Sequence, residues 1–172
     1  TGPNRVLAKY GLLVLNKSKR PGIKALADTS SIDLSKANEF DLGFKIGPRL
    51  NAAGRLTHAQ KALDILIADD YDKARGLADE LNELNHIRRQ ATLEVYEEAN
   101  KQASKYKQDP ILVLSSPDWS HGIVGIVASR VSEKWHKPTI LLQELGTEAK
   151  GSARSYGNFN IIEAIRSSEA LL

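Results

Sequence analysis

The amino-acid sequence predicts a mixed α/β protein in which a helical N-terminal segment and a long connecting helix lead to a small, truncated α/β lobe. Three observations predict it. Apolar residues recur at helical spacing through the first part of the chain, and one apolar stripe continues across its middle. After Pro110, short apolar runs bounded by turn residues alternate with helical patches.

Taken in order, "RVLAKYGLLVLNKS" carries apolar residues on one helical face, and "RPGIKALAD" starts a second short helix after Pro21 and Gly22. "GFKIGPRLNAAGRL" follows, with three glycines and one proline, and reads as an irregular loop. Thr57 is expected to open the next helix. Gln60 stands three residues later as in a reciprocal capping box, ahead of the run Ala59, Leu63, Leu66 and Ile67. Asp70 caps a further helix to about Tyr106, with Ala74, Leu77, Leu81, Leu84, Ala91, Val95, Ala99 and Ala103 on one face. At 1.5 Å per residue such a helix spans about 50 Å, longer than a small domain is wide, so it is expected to connect two lobes. Gly76 is its weak point. Beyond Pro110, "ILVLSS" reads as a buried strand, "GIVGIVASRVSEKW" as a helix, "PTILLQ" as a strand and "AKGSARS" as a strand or its end. Asn160 with Glu163 caps a last helix. The expected regions are 1–56, 57–108 and 109–172.

The 172 residues suffice for one domain or two small lobes with a real core. Hydrophobic residues at 41% and charged residues at 26% are ordinary for a globular protein, which excludes fibrous and low-complexity classes. The net charge of +3 is mild but uneven: residues 1–27 hold Arg5, Lys9, Lys17, Lys19, Arg20 and Lys24 with no acid, so a polyanionic partner is a fair expectation. Without cysteine there is no disulfide and no thiolate metal site, which fits a cytoplasmic protein. No run approaches the ~18 apolar residues of a membrane span, and no signal peptide is visible. The sequence starts at "TGPNRVL" and stops at "SSEALL" while still helical in pattern, as expected of a piece of a longer protein.

Three constellations carry chemistry. In "GPRLNAAGR", Arg49 and Arg55 flank Asn51 and Gly54, and guanidiniums beside small residues at the approach to a helix suit phosphate; the plain alternative is a solvated connection. In "PDWSHGIVGIVASR", His121 and Gly122 begin a helix whose open amides suit an oxyanion, while Gly122, Gly125 and Ala128 equally read as a small-residue stripe for tight packing on a sheet. In "KGSARS", Ser152 and Arg154 alternate with Ala153, so on a strand both point to one face and can seat a terminal phosphate; an exposed turn is the other reading. Carboxylates are scattered on predicted helix faces and no His stands at metal-ligand spacing, so no complete hydrolytic site and no serine-nucleophile triad is expected.

In this order, "GPRLNAAGR", "LNHIRRQ" on the long helix, "WSHGIVGIVASR", "KPTILL" and "KGSARS" resemble the DHH phosphoesterase superfamily, in its single-strand-specific exonuclease branch, over essentially the whole chain. The family often has histidine directly after the tryptophan, whereas here Ser120 stands between Trp119 and His121. The resemblance implies the end of a DHH lobe, a connector and most of a DHH-associated lobe. It further implies a metal-dependent 5′-to-3′ exonuclease of DNA repair and recombination that uses Mn²⁺ or Mg²⁺, with ligands outside this chain. Arg49, Asn51 and Arg55 are then expected to face the bound strand, Ser152 and Arg154 to recognise its 5′ end, and the His121–Gly122 segment to border the strand. Single-stranded DNA is the implied partner, with a single-strand-binding protein or a helicase beside it and no membrane. The competing expectations are a non-catalytic nucleic-acid-binding or scaffolding relative, and a relative acting on very short oligonucleotides or cyclic dinucleotides.

Overall fold

A computed structural model describes residues 2–169 and divides after Arg88 into two compact units. The first unit is helical. Helix α1 (Pro3–Asn16) sets Leu15 against the core and leaves Val6, Leu7, Tyr10, Leu13 and Val14 exposed. Helix α2 (Pro21–Thr29) opens on a proline, whose missing N–H costs nothing in a first turn, and buries Ala25, Leu26 and Ala27.

The segment 43–56, expected as a loop, is helical. Asn38 forms a capping box with Asp41 at the start of α3 (Glu39–Asp41), a π turn follows over Leu42–Ile46, and α4 (Gly47–Leu56) continues from it. Pro48 explains both the wrong expectation and the geometry. Its ring collides with a normally wound preceding turn, yet it is well placed within the first turn of a new helix. The wider π turn relieves that collision and lets the Gly47 N–H reach the Leu42 carbonyl. A Cβ on residue 47 would lie 2.9 Å from that oxygen, so glycine belongs there for closeness rather than as a helix breaker. The Lys45 ammonium, followed by the Asn38 backbone N–H, holds the Asp41 carboxyl below its ordinary pKa.

The expected capping box at Thr57 is likewise absent. Thr57 closes α4 instead: its hydroxyl donates back to the Ala53 carbonyl at 3.2 Å, and α5 (Gln60–Ile67) begins with its Gln60 N–H donating to His58 Nδ1. The long helix is present as α6 (Tyr71–Ala103), capped by Asp70, whose carboxylate accepts from the Lys73 N–H at 2.8 Å; Gly76 does not interrupt it. Ala25, Leu26, Ile65, Ala74, Ala78 and Leu81 are fully buried members of the first unit's core, and the alanines let the helices approach closely.

The second unit contains β1 (Leu112–Ser116), α7 (His121–Trp135), β2 (Thr139–Leu145), β3 (Glu148–Arg154) and α8 (Ile161–Ser167). Strand order is β1-β2-β3. β1 and β2 are parallel and joined through α7, and β2 and β3 form an antiparallel hairpin. Its two-residue turn starts at Gly146, where φ is +74°, a region that side chains with a Cβ resist. The register aligns Leu112, Thr139 and Arg154, then Leu114, Leu141 and Ser152, then Ser116, Gln143 and Lys150. Alternation puts all nine on one sheet face, and α7 packs there through buried Ile123, Val124, Val127 and Val131. Asn160 caps α8 by accepting from the Ile162 and Glu163 N–H groups; the end of the expected last helix, residues 170–172, lies outside the described residues.

Candidate functional site

In the second unit, Ser152 and Arg154 share one face of β3, with Arg154 Nη1 donating to Ser152 Oγ at 3.0 Å. The guanidinium also reaches α7: Nε donates to Ser129 Oγ at 2.7 Å and Nη2 to the Gly125 carbonyl at 3.1 Å. Nη1 additionally donates to the Ala153 carbonyl at 2.8 Å. Gly125 is where strand and helix come closest, since a Cβ there would stand 3.2 Å from Ser152 Oγ and 3.5 Å from Arg154 Nη2. The small-residue stripe therefore does pack against the sheet, and at Gly125 that packing seats Ser152 and Arg154. Lys150 occupies the same face two residues upstream. Sequence reasoning passed over it, although its parity with Ser152 and Arg154 was available.

His121 is exposed at the first turn of α7, next to Trp119, which is only 1% exposed. The backbone N–H of His121 is not open as expected, because it donates to Gln143 Oε1 at 3.0 Å, and the Ile123 N–H bonds the Ser120 carbonyl. Gly122 is half-buried beside it and has a polar interaction of its own. Gln143 comes from β2, and only the strand register reveals that it faces the helix terminus. Among the four histidines, His136 pairs through Nδ1 with the Tyr156 hydroxyl at 2.5 Å.

In the first unit, α4 separates the residues that the sequence placed together. Asn51 and Arg55, four residues apart, lie on one helix side and line an open concavity of about 410 Å³ with Leu50, Gly54, Ala59 and Ala62. Arg49 points elsewhere: Nε donates to Asn82 Oδ1 at 3.0 Å and Nη1 to the Lys45 carbonyl at 2.8 Å, which ties α4 to α6. The helical winding is the reason, because residues two apart on a helix face nearly opposite ways. Among the described residues no group of three or more His, Asp or Glu side chains could hold a metal ion. No helix among them is long and apolar enough to cross a membrane.

No protein-family model matches the chain. It is 37% identical over 166 residues to the single-stranded-DNA-specific exonuclease RecJ of Bacillus subtilis, a match covering 94% of this chain and 21% of that protein. It is also 37% identical over 175 residues to the Escherichia coli RecJ, covering 98% of this chain and 30% of the relative. A crystal structure of Thermus thermophilus RecJ in complex with Mn²⁺ superimposes with a TM-score of 0.86 at 35% identity, over 98% of this chain and 25% of that one. The same protein in complex with Mg²⁺ gives 0.84 at 34% identity, over 98% of this chain and 26% of that one. The chain thus spans between about a fifth and a third of the length of these relatives.

Proposed function

Since this chain is RecJ-like in sequence and in fold over nearly its whole length, we propose that it is the strand-binding portion of a metal-dependent 5′-to-3′ single-stranded-DNA exonuclease acting in repair and recombination in the cytoplasm. The observation that carries this reading is the Ser152–Arg154 pair, a hydroxyl and a guanidinium on one strand face, fixed against α7 and beside Lys150. A terminal phosphate needs such converging donors, and recognition through phosphate alone accepts any base sequence. The α4 concavity, where Asn51 and Arg55 stand among small and apolar neighbours, offers the strand a second surface, and Arg49 braces that helix through Asn82. His121 and Gly122 border the strand at the start of α7, with His121 acting through its exposed side chain. The parent enzyme uses Mn²⁺ or Mg²⁺, the ions named for the Thermus thermophilus structures. In this reading the ion's ligands belong to parts of the parent outside this chain. A single-strand-binding protein or a helicase is a fitting partner for an enzyme that consumes unpaired strands.

Arg154→Ala in the complete enzyme tests the reading. Affinity for a 5′-phosphorylated single strand is expected to fall by about tenfold, the worth of a charge-assisted hydrogen bond, with a much smaller loss for a 5′-hydroxyl strand. Equal weakening of both strands in a binding titration rejects the terminal-phosphate role.

A further inference from the structure

An arginine near the end of a strand normally samples many rotamers, and fixing it on a ligand costs entropy that weakens binding. Arg154 is already fixed. Four of its N–H groups are engaged: one by Ser129 Oγ, one by the Gly125 carbonyl, and two by Ser152 Oγ and the Ala153 carbonyl. A guanidinium has five, so one Nη2 hydrogen remains without an acceptor among the described residues. Ser152 Oγ accepts from Arg154, which turns its own hydroxyl hydrogen toward another acceptor.

We propose that Ser129, acting with the bare backbone of Gly125, is a positioning residue that aims the remaining Arg154 N–H and the Ser152 hydroxyl at one terminal phosphate. This rests on the reading of Arg154 given above and adds to it the helix residues that make the arginine selective. Serine suits the position because its hydroxyl donates to the Gly125 carbonyl at 3.3 Å, which orients a lone pair toward Arg154 Nε at 2.7 Å. Glycine suits position 125 because a methyl group there would crowd Ser152 Oγ at 3.2 Å and push both donors off their common target. Ser129 itself need not touch the strand.

The test compares Ser129→Ala, Ser129→Thr, Gly125→Ala, Arg154→Ala and the Ser129→Ala/Arg154→Ala double variant in the complete enzyme. The quantity read is the ratio of affinities for 5′-phosphate and 5′-hydroxyl forms of one oligonucleotide. Ser129→Ala is expected to lower that ratio about fivefold with little change for the 5′-hydroxyl strand. Ser129→Thr, which keeps the hydroxyl, restores it; Gly125→Ala lowers it; and the double variant is no worse than Arg154→Ala alone. If Arg154→Ala lowers the ratio while Ser129→Ala and Gly125→Ala leave it intact, the positioning role is wrong and the phosphate reading stands. If Arg154→Ala leaves the ratio unchanged, the phosphate reading itself fails. A ratio loss from Ser129→Ala that persists in the Arg154→Ala background also overturns the proposal, because Ser129 then acts by some other route. If Ser129→Ala does not fold, Gly125→Ala decides the matter, since alanine is favoured over glycine in a helix.

Discussion

Trp119 brings a polar atom into the interior of the second unit, and Glu98 is what satisfies it. The indole Nε1 donates to Glu98 Oε2 at 2.7 Å, while the ring is almost wholly buried at the foot of α7. With the tryptophan locked inward, Ser120 becomes the N-cap residue and His121 is turned outward, so the serine inserted between them sets which way the histidine faces. Glu98→Ala leaves a buried N–H without a partner and is expected to cost about 2 kcal/mol. Glu98→Gln keeps a carbonyl acceptor and should cost clearly less. Urea unfolding of the chain followed by tryptophan fluorescence measures both; equal midpoints for the two variants contradict this account of the pair.

Strand β3 carries the candidate phosphate donors and depends on one glycine for its place. A Cβ on Gly151 would fall 2.1 Å from the Leu141 carbonyl oxygen and 2.6 Å from Leu142 Cδ2, and the first of these is backbone that cannot rotate away. Gly151→Ala is therefore expected to push β3 off β2, costing about 2 to 3 kcal/mol and accelerating amide exchange along residues 149–154. Unchanged exchange there shows that the hairpin tolerates the methyl group. These second-unit elements were legible in the sequence, because apolar runs bounded by turn residues identify β1, α7 and β2, and period-two alternation puts Ser152 and Arg154 together. Helix α4 was not. Gly47 and Pro48 are helix breakers by local propensity, and only the π turn, which needs five-residue hydrogen bonding and a missing Cβ, lets the chain wind through them. Arg49 parts from Asn51 and Arg55 for the same reason, since loop residues can converge where helical residues two apart diverge. Ser129 and Gln143 escaped notice because their roles arise from strand register and helix packing, which no local window contains.

At the scale of the whole chain, strand binding is expected to be separable from chemistry, because Lys150, Ser152 and Arg154 share the β3 face while among the described residues no group of three or more His, Asp or Glu side chains could hold a metal ion. The carboxylates among the described residues are dispersed, and several are occupied: Asp41 by Lys45, Glu80 by Lys61, Asp79 by Arg75 and Glu98 by Trp119. None converge in a group of three, which a hydrolytic metal centre needs in order to activate water and hold the leaving oxygen. The 172-residue chain by itself, supplied with Mn²⁺, is accordingly expected to release no nucleotides from an end-labelled single strand, while still retaining that strand in a binding assay at low salt. Retention should weaken with salt by about 0.7 in log affinity per log salt for each phosphate contact, so Lys150→Ala should flatten the slope by about that amount for either 5′ end. Nucleotide release that scales with the concentration of pure chain and stops with a chelator contradicts the separation, for it would mean that residues of this chain assemble a metal centre after all. Absence of both release and retention contradicts the other half, because the β3 face and the α4 concavity would then need the rest of the parent to bind at all.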